Sequence, residues 1–183
     1  MDVRGRILDA ALGLLAKGGA QELTQPRVAR AAGVRHSHLT YYFPTRADLL
    51  QAVAYRSIDT LASSLLSAAR RGKLGPDALS RMLAQAIADK RRTRTMLALV
   101  GAADRDVAVR KRLRRFIREA RARIGGVLSA SGGAADPDKV AFLHTLLVGS
   151  AVLHLARDDA SSRREARAVL REGVATLAAR KGN

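Results

Sequence analysis

Apolar residues recur at a spacing of three to four along almost the whole chain, and polar residues fill the positions between them. The first apolar stripe ends at Gly18-Gly19, and Pro44 interrupts the pattern after a third, short segment. Thr45 and Asp48 have the spacing of a capping box, which predicts that a long helix begins there. The pattern predicts about nine helices, at 3–17, Thr24–Ala32, 36–42, Thr45–Arg71, 77–90, 93–101, 105–130, 138–157 and 162–180.

Gly33, Val34 and Arg35 join the second and third predicted helices. Two short helices joined in this way form a helix-turn-helix when the first helix packs them as a unit. The residue types fit, because Ala29 is small where two backbones approach and Gly33 permits a positive φ at the corner. A helix-turn-helix is therefore predicted, although a tight helical hairpin inside a core would give the same pattern.

The third predicted helix has one apolar side and one polar side. Leu39 and Phe43, at positions i and i+4, share the apolar side. The polar side carries short or planar groups of the kind that bind base edges and phosphate oxygens in a major groove. These groups belong to His36, Ser37, Thr40 and Tyr41. Since the chain has only three tyrosines and three phenylalanines, the run Tyr41-Tyr42-Phe43 is unusual. We expect Phe43 to anchor the helix and the tyrosines to face a partner.

Composition adds a fold class and a charge. Helix-forming Ala, Leu and Arg dominate the 183 residues, with Val, while Gly and Pro are sparse between motifs, which predicts an all-α fold. The net charge of +17 indicates a polyanionic partner, or else only an arginine-rich genome or a need for solubility. No cysteine is present, which excludes disulfides and thiolate chemistry. The first residues lack a cleavage signal, and the apolar run at 140–156 is short for a membrane span, so we expect a soluble, cytoplasmic protein.

The segment LTQPRVARAAGVRHSHLTYYFPTRADLL, from Leu23 to Leu50, resembles the signature of the tetracycline-repressor (TetR) family of bacterial transcriptional regulators. The resemblance implies a DNA-binding module at residues 1–46 and a helical ligand-binding and dimerisation domain at residues 47–183. It implies base contacts by His36, Ser37 and Tyr41, and phosphate contacts by Thr24, Tyr42 and Arg46. Further candidate DNA contacts are Arg35, which replaces the serine that commonly caps this helix, Thr40, which replaces a common tyrosine, and His38.

The remaining helices resemble the same family in number, length and order, which implies an effector pocket among the middle helices. Few aromatic residues occur there, so stacking on a flat ligand would be poorly supported and an aliphatic or an acidic effector fits better. Each candidate residue would also fit a simple core. The candidates are Tyr55, Met82, Met96, Leu99 and Phe116.

The run FLHTLLVGSAVLHLA, residues 142–156, is apolar almost all round, which is more than a surface helix needs. It fits either a central core helix or a dimer interface made with the last helix, and members of the TetR family usually pair through their last two long helices. Gly149 and its small neighbours would let another helix approach closely. The candidate interface residues are Phe142, Leu146, Gly149, Val152, Leu153, Val169, Val174 and Leu177.

The stretch from Lys90 to Arg123 holds thirteen basic and three acidic residues, a net charge of +10, whereas residues 1–52 have only +3. Arg110, Arg114 and Arg118 follow one another at i, i+4, where like charges repel. The stretch is interpretable as a solvated helix, or as a surface that attracts DNA or an acidic effector through its long-range field.

Catalytic and metal sites are poorly supported by the sequence. His36 and His38 would point ~200° apart on a helix, and His144 and His154 would be separated by ~15 Å of helix rise. We therefore expect no catalytic residue, metal or cofactor.

The sequence predicts a homodimeric regulator of a near-palindromic operator, a repressor that a small-molecule effector releases. A non-specific architectural DNA-binding protein and a small helical enzyme are the alternatives.

Overall fold

The computed structural model describes residues 2–132 and 135–179, which contain helices and no strand. This confirms the predicted all-α fold. One 3₁₀ turn, Ala20–Glu22, follows the first helix. The α-helices of the described residues are α1 Val3–Gly18, α2 Gln25–Ala31, α3 His36–Tyr42, α4 Arg46–Arg70, α5 Pro76–Ala88, α6 Lys90–Arg105, α7 Val107–Ala130, α8 Pro137–Arg157 and α9 Ala160–Ala179.

The predicted sixth helix is wrong in its extent. Gly101 was expected to close a short helix at 93–101, but α6 begins at Lys90 and continues through Gly101 to Arg105. A glycine inside an exposed helix costs only ~1 kcal/mol relative to alanine, so it does not end a helix that packing stabilises. An added Cβ at Gly101 would meet no neighbouring atom, and no close approach explains the glycine.

The helices form two compact units. The first unit comprises the residues up to Ser57 together with Arg94–Phe116, and the second comprises Ile58–Thr93 and the described residues from Ile117 onward. Helices α4, α6 and α7 contribute residues to both. The predicted boundary between a DNA-binding domain at residues 1–46 and a C-terminal domain at residues 47–183 stays a prediction.

In the first unit, α1 packs on α2 and α3 through apolar side chains. Asp2 caps α1 by accepting a 2.6 Å hydrogen bond from the Gly5 amide, and the Arg94 guanidinium donates to the Leu15 and Ala16 carbonyls near its other end. The buried residues that these helices contribute are Ile7, Leu8, Ala11, Leu15, Val28, Ala29 and Leu39. This core supports the segment between α2 and α3.

The turn between α2 and α3 depends on Gly33, whose φ of 64° confirms the predicted positive value. We expect Gly33→Ala to lower the free energy of unfolding by ~1–2 kcal/mol, because an L residue is strained in this conformation. No atom lies within 4 Å of the added Cβ, so the cost would come from the backbone alone. Chemical denaturation measures it. The control is Gly13→Ala in the open interior of α1, which should instead stabilise by ~1 kcal/mol, and equal effects of the two substitutions would contradict the argument.

In the second unit, α9 packs against α5 and α8 around one apolar core. Gly173 of α9 lies so close to α8 that an added Cβ would overlap the Leu146 side chain. A polar contact joins the same two helices, where His154 Nδ1 and Ser162 Oγ are 2.9 Å apart and buried. The core side chains include Leu65, Leu79, Leu83, Ile87, Val127, Leu143, Leu170, Val174 and Leu177.

Helix α8 is 21 residues long and contains an 18-residue window with a mean hydropathy of 1.5, of which only 17% is buried. The helix is long and apolar enough to cross a membrane, so the expectation that this run is too short was wrong. One such helix is weak evidence for a membrane segment. The exposed apolar side chains of α8, including Phe142, Val148 and Leu153, are equally suited to cover by a second protein surface.

Candidate nucleic-acid interface

The segment from α2 to α3 is a helix-turn-helix built by backbone hydrogen bonds. Thr24 occupies the predicted N-cap of α2 in an extended conformation, although its side chain makes no capping bond there, and Pro26 follows in the first turn. The Val34 amide donates to the Ala29 carbonyl at 3.0 Å, which closes the end of α2 across Gly33. The chain then enters α3 at His36, as predicted.

Two apolar side chains fasten α3 to the core. Leu39 and Phe43 are both buried, and the Phe43 amide donates to the Leu39 carbonyl at 2.8 Å. The Arg4 guanidinium carbon lies 5.6 Å from the centre of the Phe43 ring, a cation–π distance. Phe43 therefore anchors the aromatic cluster to the core, as predicted.

The opposite face of α3 is solvent-exposed. Tyr41 is 81% exposed, and Tyr42 is half-exposed with its ring in an edge contact 5.2 Å from that of Tyr41. Large side chains held in water without covering are typical of a binding surface. Five of the predicted DNA contacts are exposed along α3, namely His36, Ser37, His38, Tyr41 and Tyr42.

Three other predicted contacts differ in their surroundings. Thr40 is half-buried, and its hydroxyl lies 3.2 Å from the His36 carbonyl and 3.1 Å from the Ser37 carbonyl, so its single hydrogen-bond donor is used within α3. Arg35 is the exposed residue before α3, and its side chain makes no capping bond. Thr24 is exposed at the start of α2.

Gln25, which the sequence did not single out, fixes the end of α3. Its side-chain amide donates to the carbonyls of Phe43 at 2.7 Å and Pro44 at 3.1 Å. Arg46, a predicted phosphate contact, donates from Nε to the Leu23 carbonyl at 2.8 Å. These three bonds connect the start of α2 to the junction of α3 and α4. Arg46 therefore has a structural role in addition to any contact with DNA.

The predicted capping box at the start of α4 is confirmed. The Thr45 amide and hydroxyl donate to one Asp48 carboxylate oxygen at 2.9 and 2.7 Å, and the Asp48 amide donates to the Thr45 hydroxyl at 3.1 Å. Arg112 of α7 donates to the other carboxylate oxygen. Burial would raise the pKa of the Asp48 carboxyl, but the hydrogen bonds from Thr45 and the charge of Arg112 outweigh it and lower the pKa below its ordinary value.

Four predicted effector residues, Tyr55, Met96, Leu99 and Phe116, lie in the first unit. The Tyr55 and Phe116 rings meet edge to face with their centres 5.0 Å apart. A cavity of about 10 Å³, lined in part by Leu99 and Phe116, lies beside them, and it has room for roughly one water. Met82 belongs to the second unit, where it packs against the core.

The predicted dimer residues divide into two groups. A groove of about 190 Å³ between α8 and α9 is lined in part by four of them, which are Leu146, Gly149, Leu153 and Val169. Phe142 is also exposed on α8, and Val152 is half-buried. Val174 and Leu177 were assigned to the wrong side of α9, because both side chains are buried in the core of their own protomer. Gly149 has open space around it, and the close helix approach occurs at Gly173 instead.

The arginines of the basic stretch from Lys90 to Arg123 also differ in their contacts. Arg110 donates from Nε to the Ala103 carbonyl at 3.0 Å and from a terminal nitrogen to the Asp104 carbonyl at 2.9 Å. It thereby binds carbonyl groups at the end of α6, so it does not belong with Arg114 and Arg118 as a simple surface charge.

A three-helix core that presents a solvent-exposed recognition helix after a glycine turn defines the class of helix-turn-helix regulators. Within that class the chain belongs to the TetR family of bacterial regulatory proteins. The TetR-family model matches residues 7–53, and the model of the tetracycline repressor-like C-terminal domain matches residues 74–176. The predicted resemblance is confirmed.

Individual proteins extend this similarity. The HTH-type transcriptional regulator CymR of Pseudomonas putida is 33% identical over 122 residues, which are 64% of this chain and 59% of that protein. A TetR-family regulator from Rhodococcus sp. has a similar structure, with a TM-score of 0.74, 22% identity and coverage of 96% and 97% of the two chains. The multidrug binding protein EbrR, solved with ethidium, has a TM-score of 0.67 and 25% identity, with 94% and 98% covered.

TetR-family regulators are non-enzymatic DNA-binding transcription factors, soluble and cytoplasmic. They bind DNA operators and small-molecule effectors, typically as dimers. Membership of this family agrees with the prediction that the chain is not an enzyme.

Proposed function

We propose that this protein is a homodimeric transcriptional repressor, which binds a near-palindromic DNA operator and is released by a small-molecule effector. Residues 1–46 would bind DNA, and residues 47–183 would bind the effector and the second copy. The observation that carries the proposal is the polar, aromatic face of α3, where Tyr41 is 81% exposed opposite the buried Leu39 and Phe43. In the cell the DNA-bound dimer would be associated with the nucleoid.

Each exposed group on α3 has a suitable role in this proposal. His36, Ser37 and Tyr41 would contact base edges, because short or planar hydrogen-bonding groups reach them in the major groove. Tyr42 and Thr24 would contact phosphates and so fix the position of the helix. Arg46 would have a structural role and a DNA contact together, since its Nε is hydrogen-bonded to the Leu23 carbonyl while its charge attracts phosphate. Arg35 and His38 are further candidate contacts, and Thr40 is less suited because its hydroxyl is occupied.

Pairing through α8 and α9 would place two such modules on one operator. Phe142, Leu146, Gly149 and Leu153 recur every three to four residues and share one face of α8, beside the groove that Val169 also lines. A second copy that covers this face would remove its apolar side chains from water. The two recognition helices would then have to reach successive major grooves, ~34 Å apart.

An effector would act by changing that separation. EbrR, which resembles this chain over nearly its whole length, binds ethidium. In the first unit the space beside Leu99 and Phe116 holds about 10 Å³, so a ligand there would have to displace side chains of α6 or α7. The paucity of aromatic groups and the excess of basic ones favour an aliphatic or acidic effector over a flat cation.

The role of His36 is tested by His36→Ala. We expect the affinity for the operator to fall by ~1–3 kcal/mol, with no change for scrambled DNA, because base contacts specify and phosphate contacts position. Arg46→Ala should instead weaken binding to both sequences and lower the salt slope by ~1 for each protomer. Fluorescence anisotropy with both duplexes measures this, and thermal unfolding of Arg46→Ala controls for loss of its bond to Leu23. An equal loss of affinity for both duplexes in His36→Ala would show that His36 does not contact bases specifically.

Selection of binding sites from random duplex DNA tests the function as a whole. A repressor should enrich one near-palindromic motif. A library without enrichment, combined with a steep salt dependence of binding, would instead identify a non-specific architectural protein, which the net charge of +17 would also permit.

A further inference from the structure

Three cations project from the first part of α7 on the side away from its core. Phe116, Val109 and Leu113 define the inner side of this part of the helix, where Phe116 and Val109 are buried. The opposite side carries Lys111, followed three and four residues later by Arg114 and Arg115. All three side chains are exposed. We call these three residues the α7 cationic face.

The α7 cationic face has no counterion among the residues that the structure describes. Within residues 2–132 and 135–179, none of the three side chains forms a hydrogen bond or an ion pair, whereas the neighbouring Arg110 and Arg112 are both engaged. Like charges at i, i+3 and i, i+4 repel one another on a helix surface. A polyanion would relieve this repulsion.

The α7 cationic face and the recognition helix α3 belong to the same compact unit. Arg112, which is one residue from Lys111, is bound to Asp48 of the capping box, and that box begins two residues after Phe43. At the same junction, the side-chain amide of Gln25 in α2 donates to the Phe43 and Pro44 carbonyls. A short chain of polar contacts therefore connects this part of α7 to the helix that would read the operator.

We propose that the α7 cationic face is a second DNA-binding surface, which contacts phosphates of duplex outside the bases that α3 reads. The proposal rests on the proposed function. Lys111 and Arg115 are ~6 Å apart along the helix axis, and each strand of a duplex carries one phosphate for every ~3.4 Å of the duplex axis. Three long side chains that project from this part of α7 could therefore reach neighbouring phosphates. Such contacts carry no sequence information, so they add affinity without altering base preference.

The test replaces the α7 cationic face by Lys111→Gln, Arg114→Gln and Arg115→Gln in one variant. The matched control is Arg164→Gln, Arg167→Gln and Arg171→Gln, which removes the same charge from an exposed side of α9 in the other unit. Glutamine preserves helix propensity at both places. Affinity is measured between about 50 and 200 mM salt on operator and scrambled duplexes, each made with and without an extension of about ten base pairs on both sides.

We expect the α7 variant to reduce the magnitude of the salt slope by ~3 for each protomer, and so by ~5 for the dimer, at ~0.9 for each phosphate that the protein no longer neutralises. The fall in affinity of the variant dimer between the two salt concentrations should then be smaller than that of the unaltered protein by a factor on the order of 10³. The loss of affinity should be larger on the extended duplexes, while the ratio of operator to scrambled affinity stays unchanged. The α9 control should change the slope by less than ~1.

Two outcomes would overturn the proposal. An equal effect of the α9 control would mean that only the total charge matters, and an unchanged slope in the α7 variant would mean that the face binds no DNA and is free for an acidic protein or effector. Failure of the proposed function is recognised separately, because the unaltered protein would then show no operator preference whatever the variants do.

Discussion

Leu153→Glu is expected to give monomers that bind the operator about 100-fold or more weakly, because linked modules gain ~10²–10⁴ in avidity over single ones. Leu153 is 56% exposed in the protomer and lines the groove between α8 and α9. A carboxylate there would have to lose its hydration in a dimer, yet it would remain solvated in the monomer. Light scattering measures the mass, and anisotropy measures operator binding.

Val100→Glu is the matched control for Leu153→Glu. Val100 is 48% exposed on α6, so the substitution adds the same charge at a similarly exposed apolar position outside the groove. It should leave the protein dimeric. Gly149→Leu should also give monomers, because an added Cβ meets no atom of its own protomer and the side chain would occupy space that the partner copy needs. A dimer that survives both Leu153→Glu and Gly149→Leu would move the interface away from this face of α8.

Phe43→Ala is expected to lower the free energy of unfolding by ~3–5 kcal/mol, the usual cost of removing a buried aromatic ring. Phe43 is 3% exposed and is the last apolar anchor of α3. Tyr41→Ala, two residues earlier, should change stability by less than ~0.5 kcal/mol, since its ring lies in water. Chemical denaturation of both variants measures the contrast.

The two substitutions should act on DNA binding in different ways. Tyr41→Ala should weaken operator binding in a protein that is still fully folded, because only the contact surface is altered. Phe43→Ala should lose binding in proportion to the loss of folded recognition helix, which circular dichroism follows. If Tyr41→Ala proved as destabilising as Phe43→Ala, the division of the aromatic cluster into an anchor and a contact surface would be wrong.

Local pattern was sufficient to predict the recognition module. The predicted third helix coincides with α3 at 36–42, and Gly33 has the positive φ that was expected. These features depend on residues that are close in sequence, where spacing and side-chain chemistry determine the conformation directly. The capping box of Thr45 and Asp48 was predictable for the same reason.

Features that depend on a distant partner could not be predicted. The burial of Val174 and Leu177 follows from the packing of α9 on α5, and apolar spacing alone does not say which neighbour an apolar side chain meets. Gly173 was overlooked because a single glycine in a helix gives no signal of the Leu146 side chain that lies over it. The bond between Arg112 and Asp48 joins residues 64 positions apart, so no local pattern indicates it.

The Asp48 carboxylate performs two tasks with two oxygens, and this restricts how the position can change in evolution. One oxygen completes the capping box with Thr45, and the other binds Arg112 of α7. Replacement of Arg112 would break only the second contact and leave the cap of α4 intact. Replacement of Asp48 by an apolar residue would break both contacts at once and leave the Arg112 charge without its partner. A lineage could therefore lose the arginine first and keep the cap of α4, whereas the opposite order would pass through a protein that lacks both contacts.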